Sequence, residues 1–171
     1  MKKIELLLNE YGVSHKNSIN KLIHWICVPS IFLSIVALIW SIPLGPLEQL
    51  KIYEYQFINW ATICMIFVLL YYIKLSPILT VGMLIFSSLC LFITNYIENL
   101  ILEEEINFQL WVIALIIFAI SWVIQFVGHE IEGKKPSFLK DIQFLMIGPA
   151  WLMHFIYNKL TKKLFFSKDF N

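Results

Sequence analysis

From Phe108 to Val127 the chain runs through an apolar stretch without a single Asp, Glu or Lys. In hydrocarbon, every backbone N–H and C=O must be satisfied within the segment, so such a run has one solution, an α-helix across a bilayer. The run ends abruptly in Q-F-V-G-H-E-I-E-G-K-K-P, Gln125 to Pro136. Gly128 breaks it, His129, Glu130 and Glu132 follow, and Pro136 stops any helix. An apolar span thus delivers an imidazole and two carboxylates to one membrane–water boundary. Ionisable groups at that depth either serve chemistry or mark the headgroup layer by snorkelling.

The rest of the chain repeats the pattern. Hydrophobic residues make up 59% of the 171 positions, against about 45–50% in a soluble domain. The expected fold is all-α: one integral membrane domain with four transmembrane helices near 22–42, 55–73, 77–95 and 108–127. Met1 to Lys21 has an apolar stripe and is expected to lie along the membrane surface or to pack under the bundle. Gly12 and Ser14 to Asn20 break that helix, and Asn17, Ser18 and Asn20 can each cap the next. Residues 137–157 are apolar but interrupted by Lys140, Asp141, Gln143 and Gly148-Pro149. They predict an interfacial or re-entrant helix pair hinged at Gly148-Pro149.

Net charge is +1 and every basic residue is Lys. That gives no electrostatic argument for a nucleic-acid partner, so none is expected, and it removes bidentate Arg clamps. Cys27, Cys64 and Cys90 all lie inside apolar runs, which argues against disulfides and thiolate metal sites. No cleavable signal precedes the first span. Lys is concentrated in the amino-terminal segment and after Val127, whereas the loop Tyr96 to Asn107 holds Glu98, Glu103, Glu104 and Glu105 and no Lys. The positive-inside rule then puts both termini in the cytoplasm and the Glu-rich loop on the lumenal or outer side.

This topology brings all four histidines, His15, His24, His129 and His154, to the cytoplasmic face. Each has a plainer place as well. His15 fits a solvated loop, His24 a hydrogen bond to a neighbouring helix, and His154 an aromatic belt with Trp151, Phe155 and Tyr157. Together, beside Glu130 and Glu132, they fit a transition-metal site. Neutral imidazole suits iron, zinc and copper, and carboxylates tilt the choice toward iron. His15 and His24 would stand about 13 Å apart along one continuous helix, so sharing a metal needs a turn between them, which Asn17 to Asn20 can supply. Glu132 follows His129 by three positions and shares its face on a continuing helix. It is expected to receive an imidazole N–H or to be a ligand itself.

Tyr11, His15, Asn17, Asn20 and His24 form Y-x-x-x-H-x-N-x-x-N-x-x-x-H, followed by Pro29, the block Gln125 to Pro136, and Gly148-Pro149. In these motifs the chain resembles the fungal-type 2-hydroxy fatty acid dioxygenase family. The resemblance implies an iron(II) enzyme that uses dioxygen to shorten a 2-hydroxy fatty acid by one carbon, an α-oxidation step. It implies metal ligation by His15, His24, His129 and His154 and a catalytic role for Glu132. Asn17, Asn20, Trp25, Gln125 and Lys134 then fall on the substrate side. The acyl tail would run among Trp25, Trp122 and Phe126, and the substrate would chelate iron through its carboxylate and 2-hydroxyl.

Two other readings stand beside it. One is a non-enzymatic lipid-binding or metal-binding bundle. The other is a b-type haem bundle, which a Soret band would reveal. The topology is directly testable: a cysteine at Glu104, in a background without native cysteines, is expected to react with an impermeant thiol reagent only from the lumenal or outer side. Reaction from the cytoplasmic side would overturn the orientation.

Overall fold

The apolar runs become helices, and their caps sit where short polar residues interrupt them. A computed structural model describes residues 3–50, 58–133 and 138–166. Among these residues there are six α-helices, one short 3-10 helix and no strand. They are α1 (Lys3–Val13), α2 (Ser18–Trp40), α3 (Trp60–Leu75), α4 (Pro77–Leu102), α5 (Leu110–Glu132) and α6 (Phe138–Phe166), with the 3-10 helix at Gly45–Gln49. The Asn17 side chain accepts the Ile19 N–H and starts α2. Asn59 and Thr62 form a reciprocal capping box at the head of α3. Ser76 separates α3 from α4, with Pro77 at the first helical position of α4, where no N–H is missed.

α2, α4 and α5 are each long and apolar enough to cross a membrane. α3 is a shorter apolar helix of 16 residues, about 24 Å, and the expected start of that span, residues 55–57, lies outside the described residues. Two expectations change. First, Gly128 does not end the fourth run. Helix α5 continues through it to Glu132 and stops at Gly133, whose φ of 71° is a left-handed cap that glycine adopts without strain. Second, α6 is one helix with Pro149 inside it, not a hinged pair. Gly148-Pro149 is a packing point instead. A Cβ at Gly148 would lie 3.1 Å from Val28 Cγ1 and 3.2 Å from the Tyr11 hydroxyl, so the missing side chain lets α6 approach α2 and α1.

The buried interior divides along the bundle. At one end Ile4, Leu7, Leu8 and Tyr11 of α1 pack with Tyr72, Leu79, Met83, Ile147 and Ala150, and the Tyr72 hydroxyl donates to the Met146 carbonyl. Phe32, Val36, Ala61, Met65 and Cys90 fill the middle. Ala37, Leu110 and Ala114 close the other end. α5 packs chiefly on α2 and turns Trp111, Leu115, Ile120, Val123 and Val127 outward, as a lipid-facing helix does.

The tightest contact between α2 and α5 is at Gly128, where a Cβ would lie 2.5 Å from Asn20 Oδ1. Gly128→Ala is therefore expected to destabilise the protein by about 1–3 kcal/mol through overpacking. At Gly12 a Cβ would make an ordinary contact, 3.6 Å from Trp151 Nε1, so Gly12→Ala is expected to be neutral or slightly stabilising through helix propensity. Thermal unfolding in detergent should move in opposite directions for the two variants, or only for Gly128→Ala. Equal melting temperatures would refute the close approach.

Candidate metal centre

Three histidines from two distant segments meet where α1, α2 and α5 converge. α1 ends at Val13, and residues 14–17 turn the chain before α2 begins. That turn brings His15 back over the first turns of α2, so the His15 and His24 rings lie 4.2 Å apart between centroids. His129, on the last turns of α5, stands 5.5 Å from His15 and 4.9 Å from His24. One ring nitrogen of each lies within 4.8 Å of the others. Nitrogens sharing an ion at bonds of about 2.0–2.1 Å stand at most about 4.2 Å apart. Small side-chain rotations therefore close the cluster on one ion.

The protonation pattern follows from the partners. His15 Nδ1 lies 2.6 Å from the Tyr11 carbonyl, and His24 Nδ1 lies 2.9 Å from the Asn20 carbonyl. A carbonyl only accepts, so both Nδ1 atoms carry the proton and both Nε2 atoms keep a lone pair. His15 and His24 are buried, and His15 Nε2 is a buried acceptor with no hydrogen-bond partner. Burial pushes the His15 imidazole down to about 4, and the neighbouring His129 adds to the lowering, against the opposing pull of the Tyr11 hydrogen bond. His15 is accordingly neutral at physiological pH. Neutral imidazoles with Nδ1 anchored and Nε2 directed inward are the form that ligates transition metals. The donor set fits such an ion.

Tyr11 does more than accept. Its ring stacks on His15 at 4.1 Å with 12° between the planes, and Trp151 of α6 flanks both at 5.4 and 5.6 Å. The spacing Tyr11-x-x-x-His15 and Asn20-x-x-x-His24 is the sequence sign of the two Nδ1 anchors, since a carbonyl four residues back is within reach of a helical or helix-ending side chain. Trp151 has no comparable sign.

Glu132 holds the turn rather than an imidazole. One carboxylate oxygen accepts the Lys16 N–H at 2.8 Å, and the other accepts the Asn17 N–H at 2.9 Å and the Asn20 Nδ2–H at 3.1 Å. The flanking residues of His15 are thereby tied to the end of α5, one turn beyond His129. Asn20 donates also to the Ser14 carbonyl at 3.0 Å, which crosses the turn at its base. Asn17 and Asn20, expected on the substrate side, are thus occupied in bracing the loop. Gln125 is buried on α5 one turn before His129, and Trp25 meets Phe155 edge-on at 5.6 Å. Lys134 lies outside the described residues. His154 is not brought to the cluster: it is exposed, and its Nε2 lies 2.9 Å from Asn158 Nδ2. Glu130 is exposed too. Among the described residues the cluster of possible ligands is His15, His24 and His129.

The family model for 2-hydroxy-palmitic acid dioxygenase Mpo1-like proteins matches residues 1–160. The chain belongs to the Mpo1-like family. Another protein similar to this Mpo1-like chain is the 2-hydroxy-palmitic acid dioxygenase MPO1 of the yeast Saccharomyces cerevisiae. The two are 26% identical over 148 residues, covering 85% of this chain and 75% of the yeast protein. No solved structure matches the chain.

Glu132 therefore has a specific expected phenotype. Glu132→Gln puts an amide N–H₂ against backbone donors and loosens the turn, while leaving all three imidazoles in place. Metal affinity is expected to fall about 10–100-fold, with the site still filling at saturating metal. Wild-type affinity by competition with a chelator would show that the turn is held without the carboxylate, and complete loss of metal would make Glu132 a ligand.

Proposed function

We propose that this Mpo1-like protein is a membrane dioxygenase that binds iron(II) at His15, His24 and His129 and shortens 2-hydroxy fatty acids by one carbon. The observation that carries the reading is the set of three converging imidazoles, two with Nδ1 anchored on a carbonyl, in a chain of a family named for 2-hydroxy-palmitic acid dioxygenase. Dioxygen chemistry favours iron over zinc in this donor set, because zinc has no redox chemistry. Iron bound there supplies the one-electron chemistry that dioxygen requires and a Lewis acid for the 2-hydroxy acid.

The chain's own residues do the rest. Tyr11 and Asn20 carbonyls fix the tautomers, Tyr11 and Trp151 rings keep water from His15, and Glu132 holds the loop closed. The apolar faces around Trp25 and around Trp122, with Phe118 and Phe126 beside it, provide a lipid-like path for an acyl tail. The cluster would face the cytoplasm, on the Lys asymmetry of the sequence.

Purified protein is expected to carry iron, to show no Soret band, and under air to convert 2-hydroxypalmitate to the acid one carbon shorter, read by mass spectrometry. His129→Ala is expected to lose both metal and turnover while remaining folded in detergent. Zinc in place of iron without turnover would leave a metal-binding bundle and overturn the enzyme reading. Full metal content in His129→Ala would remove it as a ligand.

A further inference from the structure

Among the described residues outside the imidazole cluster, a groove combines polar donors with an apolar bed. It has a volume of about 410 Å³ between α1 and α6, lined by Leu8, Asn9, Gly12, Val13, Lys16, Trp151 and His154. We propose that this groove is an outer subsite for the carboxylate head of a free long-chain acid, the substrate class of the proposed dioxygenase, with Lys16 and His154 as its recognition residues. The inference rests on that reading for the identity of the acid.

Four observations carry it. First, the lining holds a Lys ammonium, an imidazole, an indole and an amide, and no carboxylate, so an anion is the complementary ligand. Second, the orientation of His154 is set by its neighbour. Asn158 Nδ2 can only donate, so His154 Nε2 accepts, and the neutral ring carries its proton on Nδ1 as a donor. Third, the Lys16 backbone N–H is spent on Glu132, while its exposed side chain lines the groove. The same residue thus closes the metal-site turn with its backbone and offers a cation with its side chain. Fourth, Trp151 is shared. It lines the groove and stands 5.6 Å from the His15 ring, so it borders both the groove and the metal-site turn.

The groove's size admits a head and the first carbons over Leu8 and Val13, not a long chain. The tail would lie against the exposed apolar faces of the bundle. His154 acquires a role here that does not require it to reach the other three histidines.

The test is anaerobic calorimetric binding of 2-hydroxypalmitate and its methyl ester to full-length protein in detergent. Lys16→Met keeps the stem and the backbone clamp, and His154→Phe keeps the ring shape. Each is expected to weaken acid binding about 3- to 10-fold, as loss of a partly exposed charge-assisted contact does. Ester binding and iron content are expected to stay at wild-type levels. The Lys16 dependence is expected to persist in a His129→Ala background, where metal binding is removed. Equal acid affinity in wild type and both variants would overturn the groove as a carboxylate site while leaving the metal centre intact. Tighter competition by phosphatidate than by the free acid would overturn it in favour of a phospholipid headgroup. Because no turnover is read, failure of the dioxygenase reading would appear separately, as absent product with the Lys16-dependent acid preference intact.

Discussion

Glu132 is the hinge pin of this molecule. Two backbone N–H groups from the turn between α1 and α2 and the side-chain N–H of Asn20 in α2 converge on its two oxygens, which ties the turn that carries His15 to the end of α5 that carries His129. A carboxylate is the right group for the task. It accepts on both oxygens without needing a proton, and hydrogen bonds to a charged acceptor are roughly twice as strong as neutral ones. Its place at the end of α5 matters as well. The helix must run on past Gly128 for His129 and Glu132 to lie on one face, three positions apart. Helix α5 stops there because Gly133 turns left-handed.

The clamp works only because α2 and α5 come close enough. Asn20 and Gly128 form that contact, with Asn20 fully buried and its Oδ1 against the glycine. Its amide nitrogen faces two acceptors, Ser14 and Glu132, which settles which end of the amide points where. Its backbone carbonyl meanwhile anchors His24. One small residue therefore links the turn, the helix pair and an imidazole, and a glycine opposite is the condition for it.

Much of this was legible in the residues. The apolar runs required helices, since lipid leaves the backbone no other way to satisfy itself. Three of the four histidines fell on segments that do converge, and the need for a turn between His15 and His24 followed from helix geometry alone. The turn lies at residues 14–17, slightly earlier than Asn17 to Asn20, because Asn17 caps α2 and Ser18 to Asn20 already belong to its first turn. What misled were glycine and proline read as breakers. At Gly128 and Gly148 the helix continues and the absent side chain serves a helix crossing, a tertiary fact that local propensity does not contain. The Lys asymmetry leads one to expect His154 on the same membrane face as the others, but topology alone does not say that α6 turns it toward α1 and away from the cluster.

The position of α1 explains why the centre is an imidazole cluster and not a wet loop. A turn at a membrane boundary would ordinarily leave His15 in water, free to protonate and of little use as a ligand. Ile4, Leu7, Leu8 and Tyr11 pack down onto the core that α6 shares, and this draws the end of α1 over the turn. His15 becomes buried beneath Tyr11 and Trp151, and burial is what keeps it neutral. The same packing leaves a polar groove between α1 and α6 that Trp151 lines, while the Trp151 ring also stands beside His15. An amphipathic surface helix, otherwise a membrane-resting segment, thus separates a dry side of the site from a wet one. The proposed substrate, with a charged head and a lipid tail, would use both.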